Sequence, residues 1–112
     1  YLPRALDSIE KASLIAPQDA NIWYNLGVLY GQNNNISKGI EVLEKTIQLK
    51  PDYRDAYYAL GLFYHSLSLD EAGKVVVDNV LNQKALAQMQ YILGHISPTD
   101  AGALESIKNW GQ

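Results

Sequence analysis

The chain has 112 residues, a net charge of −3 from 9 Lys and Arg against 12 Asp and Glu, and no cysteine. This length fits one domain. The basic residues are scattered and form no stripe that could neutralise phosphates, which argues against a nucleic-acid partner. The sequence has no apolar run near the roughly 20 residues that cross a bilayer, and without cysteine it has neither disulfides nor thiolate metal ligands. We therefore expect a soluble segment without membrane insertion. Because Tyr1 begins inside a pattern and no initiator Met precedes it, we expect a piece of a longer protein.

Apolar residues spaced three and four apart predict an amphipathic first helix over residues 2–16. Pro17 should end it, because proline lacks an amide hydrogen and disfavours helical angles in the residue before it. A second helix is predicted over residues 20–33, with Asp19 capping its free amides. Its inward face comprises Trp23, Leu26, Gly27 and Tyr30.

An asparagine-rich turn at residues 31–35 separates this helix from a third, over residues 36–49, which Pro51 should end. A fourth helix is predicted over residues 53–66, with Asp52 as its cap. Its inward face repeats the pattern of the second helix: Tyr57, Leu60, Gly61 and Tyr64.

The last third of the chain has weaker signals. Residues 68–71 read as a capping box, which predicts a fifth helix from Leu69 to about Leu81. A turn at residues 82–83 should separate it from a helix that begins near Ala85. Residues 97–100 predict the start of the last helix, with Ser97 as its cap and Pro98 at its first position. Its apolar face is Ala103, Leu104, Ile107 and Trp110, and Gly111 is its expected stop.

One string organises the chain, because residues 23–30 (WYNLGVLY) nearly return as residues 57–64 (YYALGLFY) and more faintly as residues 90–94 (QYILG). Self-similarity at a fixed period is the signature of repeat proteins. Together with Gly39, Leu43 and Pro51, the first copy resembles the tetratricopeptide repeat, whose period is 34 residues. The resemblance covers about residues 2–96.

This resemblance implies an all-α fold, a right-handed superhelical solenoid of antiparallel helix hairpins with about three repeats. Residues 1–18 would be the second helix of a truncated repeat, residues 19–52 and 53–84 two repeats, and residues 85–112 a degenerate repeat or C-terminal cap. Neighbouring hairpins must stack, because one hairpin cannot bury both faces of its helices. We expect glycines where facing helices approach most closely: Gly27, Gly61 and Gly94.

The resemblance also implies a non-enzymatic scaffold, in which the first helices of the hairpins line a concave groove that binds a peptide or a protein segment. By this analogy the groove is lined by Asn21, Tyr24, Asn25, Val28, Gln32, Asp55, Tyr58, Leu62, His65, Gln88, Tyr91 and His95. The tyrosines among them recur at the repeat period and could contact a ligand directly. Alternatively, tyrosine and asparagine are simply common in the family at the sites of Tyr24 and Asn25.

Some family members hold a partner's C-terminal carboxylate with lysine, asparagine and arginine. Here Tyr24 stands at the lysine position and Val28 and Leu62 at the asparagine positions, so that clamp is not expected. The two histidines, His65 and His95, have no nearby carboxylate or thiolate in the pattern, so we expect no metal site. We also expect no cofactor and no catalysis, because the sequence shows neither a nucleophile elbow nor a glycine-rich phosphate loop.

A competing hypothesis concerns the first helix, which has lost its hairpin mate. Its apolar face, including Leu2, Leu6 and Ile9, needs a cover, either from the helix of Trp23 or from another chain. In the second case the segment would be a homo-oligomerisation or structural spacer module. A third reading, a regulatory arm of an enzyme or membrane protein, is compatible with either hypothesis. The charged residues of the second helices should form a solvated outer surface, with Glu41 and Lys45 as an i, i+4 pair.

Overall fold

The computed structural model describes residues 2–69 and 80–111, with side chains from residue 6 onward. The α-helices are α1 (Leu2–Ile15), α2 (Ala20–Gln32), α3 (Ile36–Leu49), α4 (Arg54–Ser68), α5 (Val80–Tyr91) and α6 (Ala101–Trp110), and a π-helical turn (Ile92–Ile96) follows α5 directly. Since these are the regular elements of the described ranges, the predicted all-α class is confirmed. Within the same ranges, each helix is too short or too polar to span a bilayer.

The chain divides into two compact units, Tyr1–Ala56 and Tyr57–Gln112, and the division falls within α4. In the first unit, α2 packs against both α1 and α3. Only residues 33–35 connect α2 to α3, so the two packed helices form an antiparallel hairpin. The predicted turn is confirmed, and Asn34 adopts a φ of 62° there, an angle that asparagine tolerates.

Gly27 marks the closest approach of α2 and α3. A Cβ atom at this position would lie 2.7 Å from Leu43 Cγ and 3.3 Å from the carbonyl oxygen of Gly39. Leu43 itself is completely buried, and Ile40 and Val42 lie beside it in the core. The absence of a side chain at Gly27 therefore lets the two backbones pack closely, as predicted.

Two aromatic side chains of α2 hold α1 and the turn that follows it. The indole nitrogen of Trp23 donates to the carbonyl oxygen of Pro17 at 2.8 Å, and the Tyr30 hydroxyl donates to Glu10 Oε1 at 3.0 Å. Leu6 and Ile9 on α1 are half-buried. Part of the cover that α1 needs thus comes from α2.

We expect Tyr30→Phe to lower the free energy of unfolding by about 0.5–1 kcal/mol, because a half-exposed hydrogen bond to a carboxylate is lost. Burial raises the pKa of Tyr30 above its ordinary value of 10.0, and the hydrogen bond and charge of Glu10 add to this increase. A raised folded-state pKa means that the stabilisation is complete below pH 10 and is lost as the pH rises further. Urea titrations between about pH 9 and 11 should show a shallower loss for Tyr30→Phe than for the unchanged chain. If the free energy of unfolding fell equally steeply with pH in both proteins, the raised pKa of Tyr30 would be contradicted.

The second unit has its core between α4 and the helices that follow. The predicted inward face of α4 is confirmed, since Tyr57, Leu60, Gly61 and Tyr64 are all buried. α5 contributes its fully buried residues Ala85 and Met89, and the fully buried Ile92 follows Met89 three residues later. A Cβ atom at Gly61 would lie 2.5 Å from Met89 Cε, so this glycine also marks a close approach.

The predicted turn at residues 82–83 is wrong, because α5 runs unbroken from Val80 to Tyr91. The first two copies have Pro17 and Pro51 near this point, whereas the third has Lys84, so every backbone amide is free to continue the helix. Most of the predicted fifth helix lies outside the described residues. Ser68, its expected cap, instead ends α4 and donates its hydroxyl to the carbonyl oxygen of His65 at 2.6 Å.

Two other predicted caps are also displaced. Asp19 caps α2 as expected, accepting from the amide of Asn21 at 3.0 Å. Tyr53, and not Asp52, immediately precedes α4. At α6 the cap is Asp100, whose carboxylate accepts from the amide of Ala103, while Ser97 lies three residues earlier. At α6 the sequence offers two acceptable caps, Ser97 and Asp100, and the helix begins beside the later one.

The prediction for Gly94 is wrong within the described part of the chain, where no residue of a facing helix lies within 4 Å of the position that its Cβ would occupy. Gly94 lies in the π-helical turn, where the wider backbone shifts the residues after Ile92 out of the register of α5. Two smaller predictions are also wrong. Leu104 is predicted on the apolar face of α6, but it is 49% exposed, while Ser106 is buried. Glu41 is predicted to pair with Lys45, but its ion pair is with Lys38, at 3.9 Å.

Candidate binding surfaces

One face of α2 is not used by the core of the first unit. Asn21, Asn25 and Gln32 are exposed, and Tyr24 and Val28 are half-buried. Their spacing of three and four residues puts them on one side of the helix, opposite the buried Leu26 and Gly27. All five are residues that the family resemblance assigns to the groove.

Tyr53 joins this face, although the sequence analysis did not identify it as a site residue. Its ring stacks on Tyr24 with the centroids 5.1 Å apart and the planes at 27°. Its hydroxyl donates to Asn21 Oδ1 at 2.9 Å, and Lys50 Nζ lies 5.0 Å from its ring centroid. In the first copy the equivalent position before the helix holds Asp19. The change from an acidic residue in the first copy to an aromatic residue in the second is the sequence feature that could have identified Tyr53 as a site residue.

Burial, together with the nearby carboxylates, favours the protonated form of the two tyrosines. Burial raises the pKa of Tyr24, and the charge of Asp55 raises it further while Arg54 opposes this. Burial also raises the pKa of Tyr53, with smaller contributions from Tyr24, Asp55 and Asp19. Arg54 Nη1 pairs with Asp55 Oδ1 at 3.1 Å. Both phenols therefore remain neutral hydrogen-bond donors at physiological pH.

The second unit contains a stack of three rings. Tyr57 and Tyr91 have their centroids 4.3 Å apart with the planes at 19°, and Tyr91 and His95 are 4.2 Å apart at 16°. Tyr57 is buried, Tyr91 is half-buried and His95 is exposed. The stack therefore leads from the core of this unit to its surface.

His65 belongs to a separate cluster with Trp110. Their ring centroids are 4.3 Å apart and the planes differ by only 10°. Asn82 links them, because its Nδ2 donates to the carbonyl oxygen of Trp110 at 3.3 Å while its Oδ1 lies 3.2 Å from His65 Nδ1. With the amide oriented in this way, the imidazole must donate through Nδ1. Sequence reasoning placed Trp110 on an apolar face and missed this contact.

The remaining predicted residues are Asp55, Tyr58, Leu62 and Gln88. Asp55 is exposed at the start of α4, Tyr58 is half-buried and Leu62 is 40% exposed further along the same helix, and Gln88 is half-buried on α5. Tyr24 lies in the first unit, whereas Tyr58 and Tyr91 lie in the second. The ligand-contacting ladder of these tyrosines stays a prediction. In the described part of the chain, no three acidic, histidine or cysteine side chains are grouped as metal ligands.

The profile of the family described as Tetratricopeptide repeat matches residues 20–53. The PEX5-related protein of Mus musculus is 26% identical over 96% of this chain and 21% of its own length. The peroxisomal targeting signal receptor of Candida albicans is 32% identical over 53% of this chain and 10% of its own length. An uncharacterised protein of Methanocaldococcus jannaschii is 30% identical over 64% of this chain and 85% of its own length.

This chain belongs to the tetratricopeptide repeat family. It spans about a fifth of the length of the PEX5-related protein. The family and these relatives support a protein–protein interaction scaffold as the role of the chain.

Proposed function

We propose that the chain binds an extended peptide segment of a partner protein, without catalysis, on the surface formed by Asn21, Tyr24, Asn25, Val28 and Tyr53. The observation that carries this proposal is the stacked Tyr24 and Tyr53 pair, fixed by the hydrogen bond to Asn21 beside exposed amides. None of these side chains is part of the buried core. The name of the receptor from Candida albicans describes binding of a targeting signal, which favours a short protein segment as the ligand class here.

The chemistry of the surface suits a peptide main chain. The amides of Asn25 and Gln32 are exposed and can each both donate and accept, which matches alternating backbone N–H and C=O groups. The tyrosine pair offers a rigid apolar area with polar tips at low conformational cost. Since Tyr24, Val28 and Leu62 replace the carboxylate clamp, we expect recognition of an internal segment and not of a free C-terminus.

The same proposal extends to Tyr58, Leu62, His65, Tyr91 and His95 in the second unit by family analogy. The alternative, self-association through the apolar face of α1, is less favoured because α2 packs on that helix and Leu6 and Ile9 are half-buried. Light scattering on the samples used below distinguishes the two, since self-association requires a dimer in the absence of peptide.

The test begins with a phage-displayed library of internal peptides, followed by fluorescence anisotropy on the selected sequences. We expect Tyr24→Ala and Tyr58→Ala to weaken binding about 30-fold or more, as truncation of a hot-spot aromatic residue does. Circular dichroism should show nearly unchanged helix content for both. The matched control is Glu41→Ala, at an exposed position of α3, which should bind like the unchanged chain. Equal affinities for all four proteins, or a library without enrichment, would refute peptide binding here.

A further inference from the structure

The exposed end of the three-ring stack carries a more specific inference. One face of the His95 imidazole lies on Tyr91 at 4.2 Å, and the side chain is exposed. Among the described residues, Tyr91 is its ring neighbour. We propose that the outer face of His95 is a stacking site for an aromatic side chain of the partner protein. This inference rests on the proposed function and names one residue class that the partner protein carries.

The neighbouring rings and the backbone of the π-helical turn hold His95 in place. Tyr57, the inner ring, is 6% exposed, and Tyr91 is clamped between it and His95. The π-helical turn that carries His95 is fixed by the fully buried Ile92, whose carbonyl oxygen accepts from the amide of Ser97 at 2.8 Å. π-Helical turns occur frequently at functional sites, and a preorganised ring loses little entropy when a partner stacks on it.

Gly94, the neighbour of His95, provides independent support. At Gly27 and Gly61 a side chain would meet neighbouring atoms, whereas at Gly94 none of the described residues places a facing atom within 4 Å of the Cβ position. Glycine in a helix costs about 1 kcal/mol relative to alanine, and here no contact in the described chain accounts for that cost. An open approach to the His95 ring does account for it.

The kind of partner follows from rings already in this unit. Trp110 stacks on His65 at 4.3 Å and 10°, so an indole and an imidazole pair face to face in this protein. The stack itself consists of uncharged phenol rings below the imidazole. With a net charge of −3 and no basic stripe, the chain disfavours a nucleotide, which would bring phosphates with its ring. The geometry therefore points to the aromatic residue of a protein segment.

The test titrates N-acetyl-tryptophanamide into the 15N-labelled chain, with N-acetyl-leucinamide as the matched apolar probe. We expect shifts of the Gly94, His95 and Ile96 amides and an upfield ring-current shift of the His95 imidazole protons with the tryptophan probe alone. His95→Ala should abolish the amide shifts and His95→Phe should retain them. Gly94→Gln, which does not disturb the core, should weaken them. Absence of shifts, equal shifts with both probes, persistence in His95→Ala, or stronger binding of AMP would each overturn the proposal.

A second measurement separates this inference from the proposed function. Among the library peptides, His95→Ala should weaken only those with an aromatic residue, by about two- to tenfold, the loss expected when one stacked ring is removed. If Tyr24→Ala abolishes peptide binding while His95→Ala changes nothing, the stacking site is wrong and the peptide surface stands. If no peptide binds but the tryptophan probe still shifts His95, the proposed function is wrong and the stacking site stands.

Discussion

Replacing Gly27 with alanine should lower the free energy of unfolding by about 1–3 kcal/mol, the usual cost of overpacking a close-packed core. The new Cβ would lie 2.7 Å from Leu43 Cγ and 2.9 Å from Leu43 Cδ2. Leu43 is completely buried and cannot swing away, and the carbonyl oxygen of Gly39 at 3.3 Å limits any shift of the backbone. Alanine is intrinsically better in a helix by about 1 kcal/mol, which offsets only part of this cost.

The matched controls are the glycines at the equivalent positions of the other two copies. At Gly61 the new methyl group would meet mainly Met89 Cε, the end of a flexible side chain, so Gly61→Ala should cost less than Gly27→Ala. Gly94→Ala meets no facing atom among the described residues and should be neutral or stabilising by about 0.5–1 kcal/mol. Urea denaturation with a shared m-value gives all three differences. Equal losses at the three sites would contradict the packing that we describe.

The elements that sequence predicts well are those with local causes. Pro17 and Pro51 mark the ends of α1 and α3, because the effect of proline acts within one or two residues. The buried face of α4 follows from spacing alone. The same reasoning fails at residues 82–83, where no proline marks a boundary, and at Gly94, where the π-helical turn changes the register. A prediction from a sequence repeat assumes that every copy has the same backbone geometry, and the third copy differs from the first two.

The candidate site also has a part that the sequence predicts and a part that it does not. The exposed face of α2 is predictable, because one helix with a known buried side defines its opposite side. Tyr53 and Trp110 are not, because their roles depend on partners 32 and 28 residues away in the chain, at Asn21 and Asn82. Spacing within a helix cannot report contacts of this kind. They depend on the tertiary arrangement of each unit.

Leu43→Ala should lower the free energy of unfolding by about 2–5 kcal/mol, because a completely buried leucine is replaced and a cavity remains. Leu14→Ala is the matched control: that side chain is 80% exposed on α1, so its truncation should change the stability by no more than about 0.5 kcal/mol. Both variants are measured by urea denaturation, with circular dichroism at 222 nm as a check on the helical signal of the folded state. Similar losses in the two proteins would contradict the burial that separates them.

In the double variant with Gly27→Ala and Leu43→Ala, the two changes in the free energy of unfolding should not simply add. The closest atoms to the new Cβ at Gly27 are Leu43 Cγ and Cδ2, and both are absent in Leu43→Ala. The methyl group then enters space that the leucine vacated, so the double variant should be more stable than the sum of the single losses predicts, by about 1 kcal/mol or more. Strict additivity would show that the two residues do not share a contact. A positive coupling would show that the packing of α2 on α3 depends on the side of α2 opposite Tyr24. The residues of the proposed peptide surface could then differ without disturbing this packing.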